Sequence, residues 1–277
     1  MKNLKFDYSF TISYETDVSL CYYTIKAIPQ NSARQKIRNL EIKMIPESKP
    51  EYSNDCHGNR YIWGCNPLPH RQFKFQVTGE AVCGLCDYEE IIETNELMIF
   101  RHPTKINAAG EKISAYYKKC AEEMGLSKVE SDFEKAKLMA EKFHCDFGYE
   151  KNVTDVNTTA EEAFCKGSGV CQDFAHILIS LLHLAGCSAR YVTGFLTGEG
   201  ATHAWVEVAW DGKWYGIDPC NNTADLESYI KIGVGRDASE CRINRGVMHG
   251  GGGQKLETFL SVTDVGQGSN YLKKGFV

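Results

Sequence analysis

Apolar and polar residues alternate along much of the first hundred positions of this chain. The clearest case sets Phe73, Phe75 and Val77 against Lys74, Gln76 and Thr78, the two-residue period of a strand with one buried face. Runs at 4–14, 20–28, 38–45, 60–64, 71–78 and 95–100 are rich in aromatic and β-branched residues, and each reads as a strand. Asn54-Asp55-Cys56-His57-Gly58-Asn59 is turn chemistry between two of them, and Pro67 with Pro69 marks another break. The first part of the chain is therefore expected to be antiparallel and sandwich-like.

The period changes after His102-Pro103. Over 111–124 and 132–147 the apolar positions take helical spacing, as in Phe133, Ala136, Ala140 and Phe143, with charges on the opposite face. Ser131 is placed to cap the second helix, with Glu134 completing a capping box. A short helix is expected at 160–165 and an apolar one over 171–185, stopped by Gly186. Strands follow at 191–196, 203–210 and 213–217, the last two joined by Asp211-Gly212, a strong hairpin signal. Helices followed by an antiparallel sheet make the fold class α+β. The pattern divides the chain into an N-terminal β domain, 1–103, and a second domain, 104–277.

At 277 residues, with 43% hydrophobic and 24% charged, the chain is long enough for one large or two modest cores without external staples. A net charge of −5 with scattered basic residues argues against nucleic acid as a partner. There is no apolar run of the roughly 18 residues that a membrane span needs and no signal-peptide pattern. The expected location is cytoplasmic, with no membrane association. In that compartment the twelve cysteines are expected to be free thiols, most of them small buried hydrophobes. Cys56, His57, Cys65, Cys83 and Cys86 include enough ligand types for tetrahedral zinc. Their spacing lacks the paired knuckles of structural zinc sites, so no metal and no cofactor is assigned.

Chemistry concentrates in three places. Cys171 follows Gly167-Ser168-Gly169 and opens the apolar helix, where unpaired N–H groups and the positive end of the helix dipole favour the thiolate and can also donate to an oxyanion. A blindly chosen cysteine is far more often a buried hydrophobe, but glycines immediately before a helix suit a nucleophile turn. His203 starts a strand and shares a face with Trp205 and Glu207, the setting of a cleft residue rather than a core one. Asp218, before Pro219, taken alone is a turn residue. On the neighbouring strand it can lie opposite His203 and hold the Nδ1–H of that ring. A thiol, an imidazole and a carboxylate are the parts of nucleophilic acyl transfer.

At these residues the chain resembles the transglutaminase-like superfamily, in particular bacterial members described as cysteine proteases. The resemblance rests on Gly169-Val-Cys171-Gln-Asp173-Phe-Ala-His176, Ala189-Arg-Tyr-Val-Thr-Gly194, His203-Ala-Trp205-Val-Glu-Val208 and Gly216-Ile-Asp218-Pro219. Tyr229 to Asp237, Arg245-Gly246-Val and Gly58-Asn59 extend it more loosely. It implies a papain-like α+β core in which Cys171 is the nucleophile, His203 the general base and acid, and Asp218 the orienting carboxylate. The Cys171 backbone N–H would be one oxyanion donor, with Tyr149 the candidate for the second. The expected activity is a cysteine-dependent amide hydrolase acting on a peptide or another amide-containing substrate. Two alternatives keep the same residues: a transglutaminase that passes the acyl group to an amine, and a non-catalytic binding or assembly module.

Overall fold

A computed structural model of the chain describes residues 1–90 and 94–266, with the side chains of 94–96 left aside. Its organising element is β1, Lys2–Ile25. The two predicted strands at 4–14 and 20–28 are one long strand, bent where the pairing register shifts between Ser13 and Val18. Along the first half of β1, Leu4, Phe6, Tyr8 and Phe10 alternate inward, as the period requires.

Strands β2, Gln35–Ile45, β3, Glu51–Asn54, β4, Arg60–Asn66, and β5, His70–Cys83, follow in hairpin order. β5 pairs with the first half of β1 and β4 with the second, while β2 adds to β5 and β3 to β4. β6, Tyr88–Glu90, leaves this sheet altogether. The strand expected at 95–100 is instead a short helix, α1, Thr94–Ile99. Met98 and Ile99 are both exposed while Phe100 is buried edge-on against Trp214, so the side chains do not divide into the two faces a strand would present.

The helical expectations match closely. α2 is Glu111–Glu123, α3 is Asp132–Asp146, and the Ser131 hydroxyl accepts from the Glu134 N–H. A two-residue strand β7, Gly148–Tyr149, precedes α4, Ala160–Lys166, and pairs in parallel with β8, Ser168–Gly169, immediately before α5, Cys171–Leu184. Then come β9, Ala189–Leu196, the short β10, Gly198–Glu199, β11, His203–Trp210, and β12, Lys213–Ile217. Asp211 and Gly212 both take positive φ, the geometry of a two-residue hairpin turn.

Three further strands complete the chain: β13, Tyr229–Gly235, β14, Asn244–Gly250, and β15, Gln254–Asp264. β13 joins a five-stranded antiparallel sheet in the order β13, β9, β11, β12, β6. β14 and β15 turn back to β1, pairing over Val18–Ile25 and Leu4–Tyr14 respectively. The N-terminal sheet thus draws two strands from residues beyond 240. Gly250, Gly251 and Gly252, all at positive φ, form the tight turn between them against Glu15 and Asp17.

The result is three layers. Helices α2 to α5 pack on one face of the five-stranded sheet, through Phe174, Ile177 and Leu181 against Ala204, Val206 and Val208. The N-terminal sheet packs on the other, with Phe6 and Tyr8 against Phe195, ring centroids 5.8 and 5.2 Å apart. β13 is an edge strand, and two buried amides serve its outward backbone. Gln35 donates to the Lys231 carbonyl at 2.8 Å and accepts its N–H at 2.7 Å, and Asn59 does the same for Val234 at 2.6 and 2.7 Å. Each side chain replaces one rung of a missing strand, so the edge is closed without another chain. Among the described residues no helix is long and apolar enough to cross a membrane.

Candidate active site

Cys171 is the first residue of α5. The Asp173 and Phe174 N–H groups already donate to the Val170 carbonyl, which leaves the N–H groups of Cys171 and Gln172 outside the helical ladder and free for a ligand. The approach to the helix is fixed from below by Asp173, 1% exposed, whose carboxylate accepts from the Val170 N–H at 2.8 Å and the Thr154 hydroxyl at 2.7 Å. Gly169 makes room for that carboxylate: a Cβ there would lie 2.5 Å from Asp173 Oδ2. Gly167 is needed for a different reason, its left-handed φ of 76° at the end of α4.

His203 opens β11, its side chain 12% exposed. Its Nε2 donates to Asp218 Oδ2 at 2.6 Å. The ring is therefore turned opposite to the sequence expectation: Asp218 takes Nε2 and leaves Nδ1 for the thiol. The reason lies in the strand register. Val206 pairs with Ile217, so the ladder position opposite Asp218 is Trp205, and Asp218 leaves the ladder to bridge Thr223. From that loop its carboxylate meets the far nitrogen of the ring.

Asp218 is fully buried and well satisfied. Oδ1 accepts the N–H groups of Cys220 and Asn221 at 2.8 and 3.1 Å, while Oδ2 also accepts the Asn221 amide at 2.7 Å and the Tyr229 hydroxyl at 2.8 Å. Burial alone would raise its pKa. The His203 hydrogen bond and charge, with Tyr229 and Asn221, outweigh burial and hold it below the ordinary carboxylate value. For His203 burial disfavours the imidazolium, but hydrogen bonds and charge from Asp218 and Cys171 overcome this and raise its pKa to about 10. The Cys171 sulfur thus acts on the same imidazole that Asp218 holds, and one ring links the two.

Asn221 and Tyr229 were not singled out chemically in the sequence. Asn221 sits in a turn-forming run, Asp218-Pro-Cys-Asn-Asn, where a short amide folding back onto an Asp is ordinary turn chemistry. Tyr229 carried no chemical signal. It starts β13, stacks edge-on against Trp205 at 5.4 Å and lies 5.8 Å from the His203 ring. Tyr149 comes to the same cleft through β7, where it pairs with Gly169. Burial first, then the charges of Cys171 and Cys220, raise its phenol pKa. Glu207, on the same strand face as His203, is 1% exposed and held by Arg190 and Lys231. Of the cysteine cluster in the N-terminal part, His57 bonds Glu240 at 2.8 Å and Cys83 is buried. Among the described residues no three metal-ligating side chains gather to hold an ion.

Residues 118–219 match the family model of the transglutaminase-like superfamily, and residues 4–82 that of the bacterial transglutaminase-like N-terminal region. An uncharacterised protein of Mycobacterium leprae is 36% identical over 125 residues, which cover 42% of this chain and 44% of that relative. One from Mycobacterium tuberculosis is 34% identical over 128 residues, 40% of each. The matches thus span less than half the length of either relative. A solved structure from Cytophaga hutchinsonii, described as a "Putative Cysteine Protease", superposes with a TM-score of 0.77 over 100% of this chain and 94% of its own, at 18% identity. At that identity the likeness shows the fold.

Proposed function

The chain belongs to the transglutaminase-like superfamily, and on that footing we propose that it is a cysteine-dependent amide hydrolase whose working residues are Cys171, His203 and Asp218. One observation carries the reading: a fully buried carboxylate, bonded to His203 Nε2 at 2.6 Å, orients an imidazole that also interacts with a thiol at a helix start.

In this reading the Cys171 thiolate attacks the carbonyl carbon of a peptide-like amide, and the developing oxyanion takes the N–H at the start of α5. The His203 imidazolium gives its proton to the departing amine, leaving a thioester on Cys171. The neutral ring then removes a proton from water, which attacks the thioester. The acid product leaves, and the thiol and ring regain their starting forms. Asp218 stays ionised and keeps the ring in place. Twelve unpaired cysteines support the reading that the protein works in a reducing compartment, the cytoplasm.

The test is incubation with a peptide library and a labelled primary amine, read by mass spectrometry. Hydrolysis should yield cleaved or deamidated peptides with no amine attached, and Cys171→Ala should abolish them. Incorporation of the amine would reassign the acceptor and make the protein a transglutaminase. Inertness, or products undiminished in Cys171→Ala, would overturn the assignment.

A further inference from the structure

A depression of about 340 Å³ opens beside the candidate nucleophile. Its wall includes Gln172 and Thr202, which adjoin Cys171 and His203 in the chain. Its floor is Tyr191 from β9 and Tyr8 from β1, so both sheets contribute, and the segment after β13 supplies Ser239, Arg242 and Asn244. The same three residues also border a second, larger depression of about 860 Å³. That one lies over the outer face of β14, β1 and β4, where the strand register sets Arg245, Thr24 and Trp63 in one row and Val247 and Tyr22 in the next. Tyr22 and Trp63 are about half exposed. The two depressions share Ser239, Arg242 and Asn244 along their border, and the pair makes up a trough.

The charge of this trough is opposite to that of the molecule. The protein carries a net −5, yet Arg242 and Arg245 line the trough and, among the described residues, no Asp or Glu does. The acidic residues of the intervening segment are turned elsewhere. Asp237 is buried, and Glu240 is engaged by His57 and Arg236. The Arg245 guanidinium donates to the Ser239 carbonyl. Arg242 is exposed and makes no hydrogen bond or ion pair with the described residues. An unpaired guanidinium in an acid-free wall, flanked by exposed Tyr and Trp, is recognition chemistry for a carboxylate on a polypeptide.

We propose that this trough binds the substrate as an extended acidic peptide, and that Arg242 selects a Glu or Asp side chain next to the residue whose carbonyl Cys171 attacks. The proposal rests on the nucleophile reading above and adds the substrate class to it.

Two chloromethyl ketone probes separate the claims: benzyloxycarbonyl-Glu-Gly-chloromethyl ketone and its Gln-Gly counterpart. Each alkylates a reactive cysteine with loss of chloride, and the adduct is followed by intact mass. The Glu probe should react with the wild type about fivefold faster than the Gln probe, the upper range for a solvent-accessible ion pair, and added salt should shrink the ratio. In Arg242→Gln the ratio should fall to about one. In Arg242→Glu a Lys-Gly probe should become the preferred one, an inversion that a merely structural role for Arg242 would not produce. Equal Glu and Gln rates in the wild type, a ratio surviving in Arg242→Gln, or labelling of Cys171 by iodoacetamide but by neither peptide would each overturn the proposal. Adducts persisting at the wild-type rate in Cys171→Ala would instead remove the nucleophile assignment beneath it.

Discussion

At the scale of the residue, the strongest leverage lies in Asp218. It holds His203 through Nε2, and Cys220, Asn221 and Tyr229 hold Asp218. Asp218→Asn should fold, because the loop donors still meet an oxygen, and should lose turnover by roughly 10⁴-fold, as when a triad carboxylate is neutralised. Its pH profile should change as well. In the wild type the imidazolium that protonates the leaving amine persists to about pH 10. Without the carboxylate, Cys171 alone is left to oppose burial and the ring pKa falls, so the alkaline limb of kcat/KM should move toward neutral pH. A limb that stays in place would detach Asp218 from the ring. Cys171, His203 and Asp218 are legible in the sequence because each carries its own signal: a glycine-led helix start, a strand start and a carboxylate beyond a hairpin. Which ring nitrogen faces the carboxylate was not legible, since it depends on where the ladder ends relative to His203.

At the scale of the element, α5 is the part whose start must be exact in position. Asp173 satisfies the Val170 N–H just ahead of Cys171 and is itself fixed by Thr154. Asp173→Ala should cost about 1–2 kcal/mol through the lost cap and lower Tm by a few degrees for a chain of this size. Asp173→Asn, which keeps an acceptor, should cost less, and equal losses in calorimetry would show that the cap bond is not what matters. The sequence placed α2 to α5, β9, β11 and β12 within a few residues because local period and turn chemistry decide them. It failed at 95–100, where apolar content resembled a strand but the segment folds as α1. It merged nothing across 14–20, where the chain bends without breaking.

At the scale of the whole molecule, the strands of the central five-stranded sheet are tied together by polar as well as apolar contacts. Glu207 in β11 is held by Arg190 of β9 at 2.7 Å and Lys231 of β13 at 3.1 Å, and Lys231 also reaches Glu89 of β6 at 2.9 Å. Burial would raise the Glu207 pKa, but the charges of Lys231 and Arg190 lower it to about 2. A carboxyl depressed in the folded state adds stability above its unfolded value near 4.5, and that stability is lost as pH falls toward 2. This group should therefore remove on the order of 3 kcal/mol of unfolding free energy across that window. Glu207→Gln should flatten that part of the pH dependence and destabilise the protein at pH 7 by about 3 kcal/mol, because Arg190 and Lys231 then lose the buried anion they share. Urea unfolding at several pH values reads both effects, and an unchanged slope would assign acid sensitivity to other groups.

The sequence by itself determined the local elements of the helical half, the α+β class and the chemical identity of three residues, because those signals are carried within a few positions of one another. Tertiary structure alone decided that strands beyond residue 240 complete the N-terminal sheet, that Gln35 and Asn59 close the edge of β13, and that Asn221 and Tyr229 hold the carboxylate. It also decided that Tyr8 and Arg242 share one depression beside Cys171. These are meetings of segments up to more than two hundred residues apart. What brings them together is the burial of whole faces, and no local period records which face will meet which.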